Sequence, residues 1–239
     1  MATLFLADLH LPMTPSRLRE VFIEFCRGPA RDAEEVYILG DLFEYWIGDD
    51  VGIGDNAAEV VALRQLSASG VRVFFLHGNR DFLIGERFAA RTGVQLLNDP
   101  VVIELAGTPT LISHGDIFCT DDRAYQRWRR FCRNRFGQKI FLALPLALRA
   151  RIAGRVRSTS LVQKRMKPDD IMDVNQDAIR AAFAAHGIAR MIHGHTHRPA
   201  EHRYDEIAGR PERIVLADWR PERMEYLRAD ATGLRRVTL

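Results

Sequence analysis

Five short polar motifs each follow closely on a run of apolar, β-prone residues. The runs are Thr3–Leu6, Val36–Leu39, Val71–Leu76, Thr110–Ser113 and Met191–Ile192. The motifs are Asp8-Leu9-His10, Gly40-Asp41, Gly78-Asn79-Arg80-Asp81, His114-Gly115-Asp116 and Gly194-His195-Thr196-His197. Continuous apolar runs of this kind read as buried strands. Further runs lie at Val101–Leu105, Ile214–Ala217 and Met224–Leu227. Helical patterns fall between the early strands. One starts near Thr14-Pro15, with a capping threonine and a proline at the first helical position. A second covers about Asn56–Ser69 and stops at Gly70, a third covers Ile84–Thr92 and stops at Gly93, and another covers about Ile171–His186 and stops at Gly187. Strand–helix–strand alternation predicts an α/β layered fold. In open α/β sheets ligands bind beyond the carboxyl ends of the strands. Five loops drawn from most of the chain are therefore expected to converge on one site.

The motifs offer Asp8, His10, Asp41, Asn79, His114, His195 and His197 as donors, all nitrogen or oxygen and none a thiolate. Seven ligands exceed the needs of one ion and suit two divalent cations, roughly 3.5–4 Å apart, that share a carboxylate. Asp41 is the natural bridge, with Gly40 allowing close backbone approach. Carboxylate, imidazole and amide donors favour Mn²⁺ or a similar ion over a structural zinc site. The neutral oxygen of Asn79 lowers the negative charge met by an anionic substrate. No G-x-S-x-G and no Cys–His dyad is evident, and Cys119 reads as a packed thiol. The expected nucleophile is water on the metal, acidified to a pKa of about 7. Arg80, always charged and able to contact two oxygens, is suited to stabilising the phosphoryl group. Its plainer reading is a surface salt bridge with Asp81. His77 and His193 read as supports of the site or of the core; His186 reads as a helix C-terminal residue favourable to the dipole.

At 239 residues the chain fits one domain, or one domain plus an elaboration. Three cysteines without a CxxC fit a reducing cytoplasm, and the N-terminus reaches Asp8 without a basic n-region, unlike a signal peptide. The apolar run from Ile140 to Leu148 is broken by Pro145 and falls short of the about 20 residues that span a bilayer. Residues 120–167 hold fourteen Lys/Arg and two acids, a balance of +12 in a chain whose net charge is +3. The remainder therefore carries −9. Such a patch points to an anionic partner: nucleic acid, a nucleotide or a membrane surface. Residues 121–166 have helical composition, with Tyr125, Trp128, Phe131, Phe136, Phe141 and Leu144 among the arginines. They are expected to form a helical insertion that caps the site.

These motifs resemble the calcineurin-like metallophosphoesterase superfamily, which implies a β-sandwich flanked by helices, here a single domain over 1–239. Many members carry histidine after the Gly-Asn pair, where this chain has Arg80. A leaving phosphate needs an acid there much less than a leaving alcohol does, so the substitution suits pyrophosphate cleavage. Longer strings resemble the UDP-2,3-diacylglucosamine pyrophosphohydrolase family of lipid A biosynthesis. They are Tyr37-Ile38-Leu39-Gly40-Asp41-Leu42-Phe43-Glu44 with Trp46-Ile47-Gly48-Asp49-Asp50, His77 to Gly85, His193 to Ala200, and Val215-Leu216-Ala217-Asp218-Trp219. The resemblance implies two Mn²⁺ per subunit and attack by metal-activated water at the phosphorus of the UMP half of UDP-2,3-diacylglucosamine. It assigns Asp8, His10, Asp41 and His197 to one ion, and Asp41, Asn79, His114 and His195 to the other. Catalytic roles fall on Asn79, Arg80 and His195. Substrate contacts fall on Asn79, Arg80, Asp122, Ser160, Lys164, Lys167 and His195, with Lys164 standing where the pattern has a neutral polar residue. The basic, aromatic segment would serve the phosphates and acyl chains and hold the protein on an anionic leaflet, at the cytoplasmic face of the inner membrane. No nucleic acid and no obligate protein partner is expected. Competing readings are a metal-dependent nuclease, a dinucleoside polyphosphate hydrolase and a binding module that has lost catalysis.

Overall fold

The computed structural model describes residues 2–166 and 173–239, with backbone alone for 157–166. Six strands form one sheet: β1 (Thr3–Leu6), β2 (Glu35–Ile38), β3 (Arg72–Phe75), β4 (Gln95–Leu96), β10 (Glu225–Asp230) and β11 (Gly233–Thr238). Their order is β11-β10-β1-β2-β3-β4, parallel from β1 to β4 and antiparallel at β10 and β11. The second sheet comprises β5 (Val101–Leu105), β6 (Thr108–Ser113), β7 (Arg190–His193), β8 (Ala200–Arg203) and β9 (Glu212–Val215). It is ordered β5-β6-β7-β9-β8, with β6, β7 and β9 parallel.

Alternate residues of β1, β2, β3, β6 and β7 serve two cores, which is why those sequence runs are apolar throughout. Phe5, Ala7, Tyr37, Leu39, Phe74 and Leu76 meet Leu105, Ile112, Ile192, Ile214 and Leu216 between the sheets. On the outer face of the first sheet, Leu4, Leu6, Val36, Ile38, Val73 and Phe75 pack under α1 (Arg17–Arg27), α3 (Ala57–Ala68) and α4 (Glu86–Thr92). Leu111 and Met191 face α8 (Gln176–His186) on the outer side of the second sheet. The layers are helix, sheet, sheet, helix. A buried Arg19–Glu59 pair ties α1 to α3, and Arg19 Nη1 also donates to Pro12 O at 2.8 Å, steadying the segment that leaves the first motif.

Several boundaries differ from expectation. Helix α1 starts at Arg17, two residues beyond Pro15, because Ser16 rather than Thr14 supplies the capping oxygen. Helix α4 starts at Glu86 rather than Ile84. Its cap comes from a distance: Asp49 Oδ1 and Oδ2 accept from Gly85 N and Phe88 N. The helix expected from Ile171 begins at Gln176, where Asn175 caps it; residues 171 and 172 lie outside the described residues. Helix α2 (Asp49–Asp55) was not apparent, since its glycines are poor helix formers. Gly52 is required by packing, for a Cβ there would lie 2.6 Å from the Trp46 ring. Strands β4, β8 and β11 were missed as well. β8 and β11 are sheet edges whose residues are mostly exposed or half-buried, so they lack a continuous apolar run. Between β6 and α8 come α5 (Arg123–Cys132), α6 (Arg135–Ala143) and α7 (Leu146–Met166). No described helix is long and apolar enough to cross a membrane.

Candidate metal centre

The five motifs follow β1, β2, β3, β6 and β7, all parallel strands with their carboxyl ends at one edge of the sandwich. Backbone pairing continues past the strands and sets the register of the motif loops. Asp8 N donates to Gly40 O at 3.1 Å, His10 N to Asp41 O at 2.9 Å and Gly194 N to His114 O at 3.0 Å. Gly40 lies at φ +89, and a Cβ there would stand 2.7 Å from Gly78 Cα and 2.8 Å from His114 Nδ1. Asp8, His10, Asp41, His195 and His197 take φ values of 55, 46, 52, 70 and 56. The only other non-glycine residues in this region, among those described, are Ala106 and Arg210. Left-handed backbone in a non-glycine residue costs of order 1–3 kcal/mol. Five such residues on converging loops mark a site whose geometry outweighs local preference.

All seven expected donors come together. His10 Nε2 lies 3.2 Å from His197 Nε2, and His195 Nδ1 lies 3.2 Å from His114 Nε2. Asn79 Oδ1 is 3.1 Å from His114 Nε2. Donor atoms of Asp8, His10 and His197 lie within 4.8 Å of one another, as do those of Asp8, Asp41 and His114. Asp41 faces both groups, with Oδ2 3.8 Å from His10 Nε2 and Oδ1 3.9 Å from His114 Nε2. Asp8 also belongs to both groups, a position the sequence reading gave to Asp41 alone.

Around these donors lies a layer the sequence reading largely missed. Asp81 is buried and does not pair with Arg80, contrary to the plainer reading of that arginine. It accepts instead from the amides of Gly78 at 2.9 Å and Leu42 at 2.8 Å, locking the second and third motif loops together. Arg80 Nη1 faces Glu44 Oε1 at 3.7 Å, while its Nε is buried without a hydrogen-bond partner. Glu44 Oε2 is 3.0 Å from His10 Nδ1, and Asp218 Oδ2 is 3.4 Å from His197 Nδ1. His114 Nδ1 donates to Leu39 O at 2.9 Å. His193 Nδ1 donates to Gly194 O and its Nε2 accepts from the buried Arg213 at 3.1 Å, so it supports the loop as a neutral ring. His77 Nε2 donates to Ile84 O at 2.8 Å. Glu44 and Asp218 lay inside the motif strings; only their spacing from a histidine in three dimensions assigns them.

Charge in the cluster divides unevenly. Burial opposes protonation of His114, but the carboxylates of Asp41, Asp8, Asp116 and Asp99 outweigh it and push the ring up to about 9. Burial and the neighbouring His114 hold His195 down at about 3. Burial opposes ionisation of Asp8, yet His197, His114 and His10 hold it well below the usual carboxylate range. Burial and Arg213 lower His193 to about 4.

Helix α5 reaches the site. Tyr125 stacks over His195 with ring centres 5.8 Å apart, and its hydroxyl donates to Asp116 Oδ2 at 2.8 Å. Arg129 Nε lies 2.9 Å from the same oxygen, and Arg133 Nη2 donates to His77 O at 2.9 Å. Arg149, from α7, pairs with Asp50 and donates to Ile47 O at 2.8 Å. Part of the basic segment is thus consumed internally. Phe141 packs against the main core, whereas Trp128, Phe131, Phe136 and Ile140 are exposed. Asp122 does not join the donor cluster; its carboxylate caps α5 by accepting from Tyr125 N at 3.0 Å. Ser160 and Lys164 lie on α7 with their side chains outside those described, and Lys167 lies outside the described residues.

A family model described as calcineurin-like phosphoesterase matches residues 1–199. The UDP-2,3-diacylglucosamine hydrolase of Serratia proteamaculans is 47% identical over 235 residues, covering 98% of each chain. The protein of that name from Pseudomonas aeruginosa is 46% identical over 239 residues, covering 99% of this chain and 98% of its own. This chain belongs to the calcineurin-like phosphoesterases, among the UDP-2,3-diacylglucosamine hydrolases. A solved dimetal phosphatase from Danio rerio shares the fold at a TM-score of 0.53 and 13% identity, covering 99% of this chain and 98% of that one. Membership makes the protein a hydrolase and implies divalent metal cofactors. The residues present fit that group. Asp8 Oδ1 is buried without a hydrogen-bond partner, and among the described residues oxygen and imidazole donor atoms converge within 4.8 Å of one another.

Proposed function

We propose that this protein hydrolyses the pyrophosphate bond of UDP-2,3-diacylglucosamine, releasing UMP and 2,3-diacylglucosamine 1-phosphate. One observation carries the reading: the seven-donor cluster stands on a chain that aligns over 98–99% of its length with hydrolases bearing this substrate's name. Asp8, His10, Asp41 and His197 would hold one Mn²⁺, and Asp41, Asn79, His114 and His195 a second. Bound cations of this kind acidify water and stabilise charge on phosphoryl oxygens. The chain's own residues then orient the substrate. Arg80, partly exposed with Nη1 facing Glu44, would donate to phosphoryl oxygens. Asn79 presents a neutral oxygen rather than a third carboxylate, which eases approach of an anion. Burial and the neighbouring His114 hold His195 neutral, free to donate or ligate.

Residues 121–166 form the proposed cap over this site, with Asp122, Ser160, Lys164 and Lys167 as substrate contacts. Exposed apolar side chains beside arginines suit a substrate with two acyl chains and a diphosphate. Each methylene buried is worth about 0.8 kcal/mol, and each well-placed Lys/Arg near an anionic leaflet about 1 kcal/mol. These support peripheral attachment to the cytoplasmic face of the inner membrane.

Incubating the protein with UDP-2,3-diacylglucosamine and Mn²⁺ tests the proposal. UMP is the expected product. Release of UDP, or no release, would overturn it.

A further inference from the structure

Glu44 touches two functional groups at once. Backbone pairing beyond the strands sets it there: Leu11 pairs with Phe43 in parallel, and Glu44 N donates to Leu11 O at 3.1 Å, so Glu44 lies beside His10. Its two oxygens diverge. Oε2 stands 3.0 Å from His10 Nδ1 and Oε1 stands 3.7 Å from Arg80 Nη1. All three side chains are about four-fifths buried, at 19% relative exposure each.

We infer that Glu44 is a positioning residue that serves the metal centre and the phosphate contact together; the inference rests on the metal reading proposed above. With Oε2 held 3.0 Å from Nδ1, the carboxylate favours the His10 tautomer that carries its proton there. The Nε2 lone pair is then turned toward Asp41 Oδ2 and His197 Nε2, where an ion would sit. A carboxylate behind a ligating imidazole also raises its basicity. The other oxygen holds the Arg80 guanidinium over the same site, and Arg80 in turn screens a carboxylate that would repel an anionic substrate. A histidine ligand and an arginine from different loops are thereby set by one side chain.

Three variants separate the two tasks: Glu44→Ala, Glu44→Gln and, as a control, Asp8→Asn. Metal-stripped protein is titrated with Mn²⁺ alone by calorimetry, and kcat and KM are measured at saturating Mn²⁺ in wild-type and Arg80→Ala backgrounds. Glu44→Ala removes both contacts and is expected to weaken Mn²⁺ binding by about 10–100-fold. Glu44→Gln keeps an acceptor for His10 but loses the charge facing Arg80. It should bind Mn²⁺ within about threefold of wild type while raising KM, and that rise should vanish in the Arg80→Ala background. Should Glu44→Ala fail to fold, the Glu44→Gln cycle decides. Effects of Glu44→Gln and Arg80→Ala that simply multiply would overturn the inference, as would unchanged Mn²⁺ affinity in a folded Glu44→Ala. If Asp8→Asn also leaves Mn²⁺ binding unchanged, the metal reading itself fails. If Asp8→Asn weakens binding and the folded Glu44→Ala does not, only the role of Glu44 fails.

Discussion

At the scale of single residues, the cluster is defined by side chains whose backbone runs against preference. Asp8, His10, Asp41, His195 and His197 all sit in the left-handed region, where a Cβ crowds the following carbonyl. Residue type announces the donors, but nothing in a propensity scale announces this conformation. Arg80 illustrates the same division. Its identity as a fixed cation was legible, yet its partner was not Asp81 in the next position but Glu44 across the site. A partly exposed side chain and one long ion pair leave Arg80 able to meet a phosphate. Arg80→Ala is expected to retain its metal, read by elemental analysis, while kcat falls by roughly 10²–10³-fold. Unchanged turnover would remove Arg80 from the mechanism.

At the scale of elements, loops rather than strands or helices carry the chemistry, and carboxylates hold the loops. Asp81 joins the loop after β3 to the loop after β2 through backbone amides of Gly78 and Leu42. Asp49 caps α4 from the start of α2, and Asp116 receives Tyr125 and Arg129 from α5. Asp81→Ala would leave two or more buried amides without an acceptor, each costing about 1–3 kcal/mol. Denaturant unfolding should show a loss of at least about 2 kcal/mol, with weakened metal binding. Asp81→Asn, which keeps one acceptor oxygen, should lose less. Equal stability of Asp81→Ala and wild type would show that the loops hold their register without this residue.

At the scale of the molecule, the sandwich places two sheets so that β1, β2 and β3 of one and β6 and β7 of the other end at a common edge. Concentrating carboxylates and imidazoles there ties the metal-free protein to pH. The folded His114 titrates at about 9, above its ordinary 6.5, because Asp41 and Asp8 outweigh burial. Its contribution to stability is therefore complete below pH 6.5 and is lost as pH rises toward about 9. Since Nδ1 already donates to Leu39 O, the extra proton sits on Nε2, where a cation would bind. Mn²⁺ binding should release about one proton at pH 7, and affinity should rise with pH until about 9. Calorimetry in buffers of different ionisation heat measures this; a pH-independent affinity between 6.5 and 9 would contradict it. The sequence alone determined the donors, the β-prone runs behind them, the layered class and the stops at Gly70, Gly93 and Gly187, because residue chemistry and hydrophobic period are local properties. Only the tertiary structure decided that Glu44 and Asp218 stand behind His10 and His197, that Asp81 binds amides, and that Arg129, Arg133 and Arg149 of the basic segment are spent on internal contacts. Those partnerships join residues far apart in the chain, and it is the meeting of two sheet edges that brings them within hydrogen-bonding range.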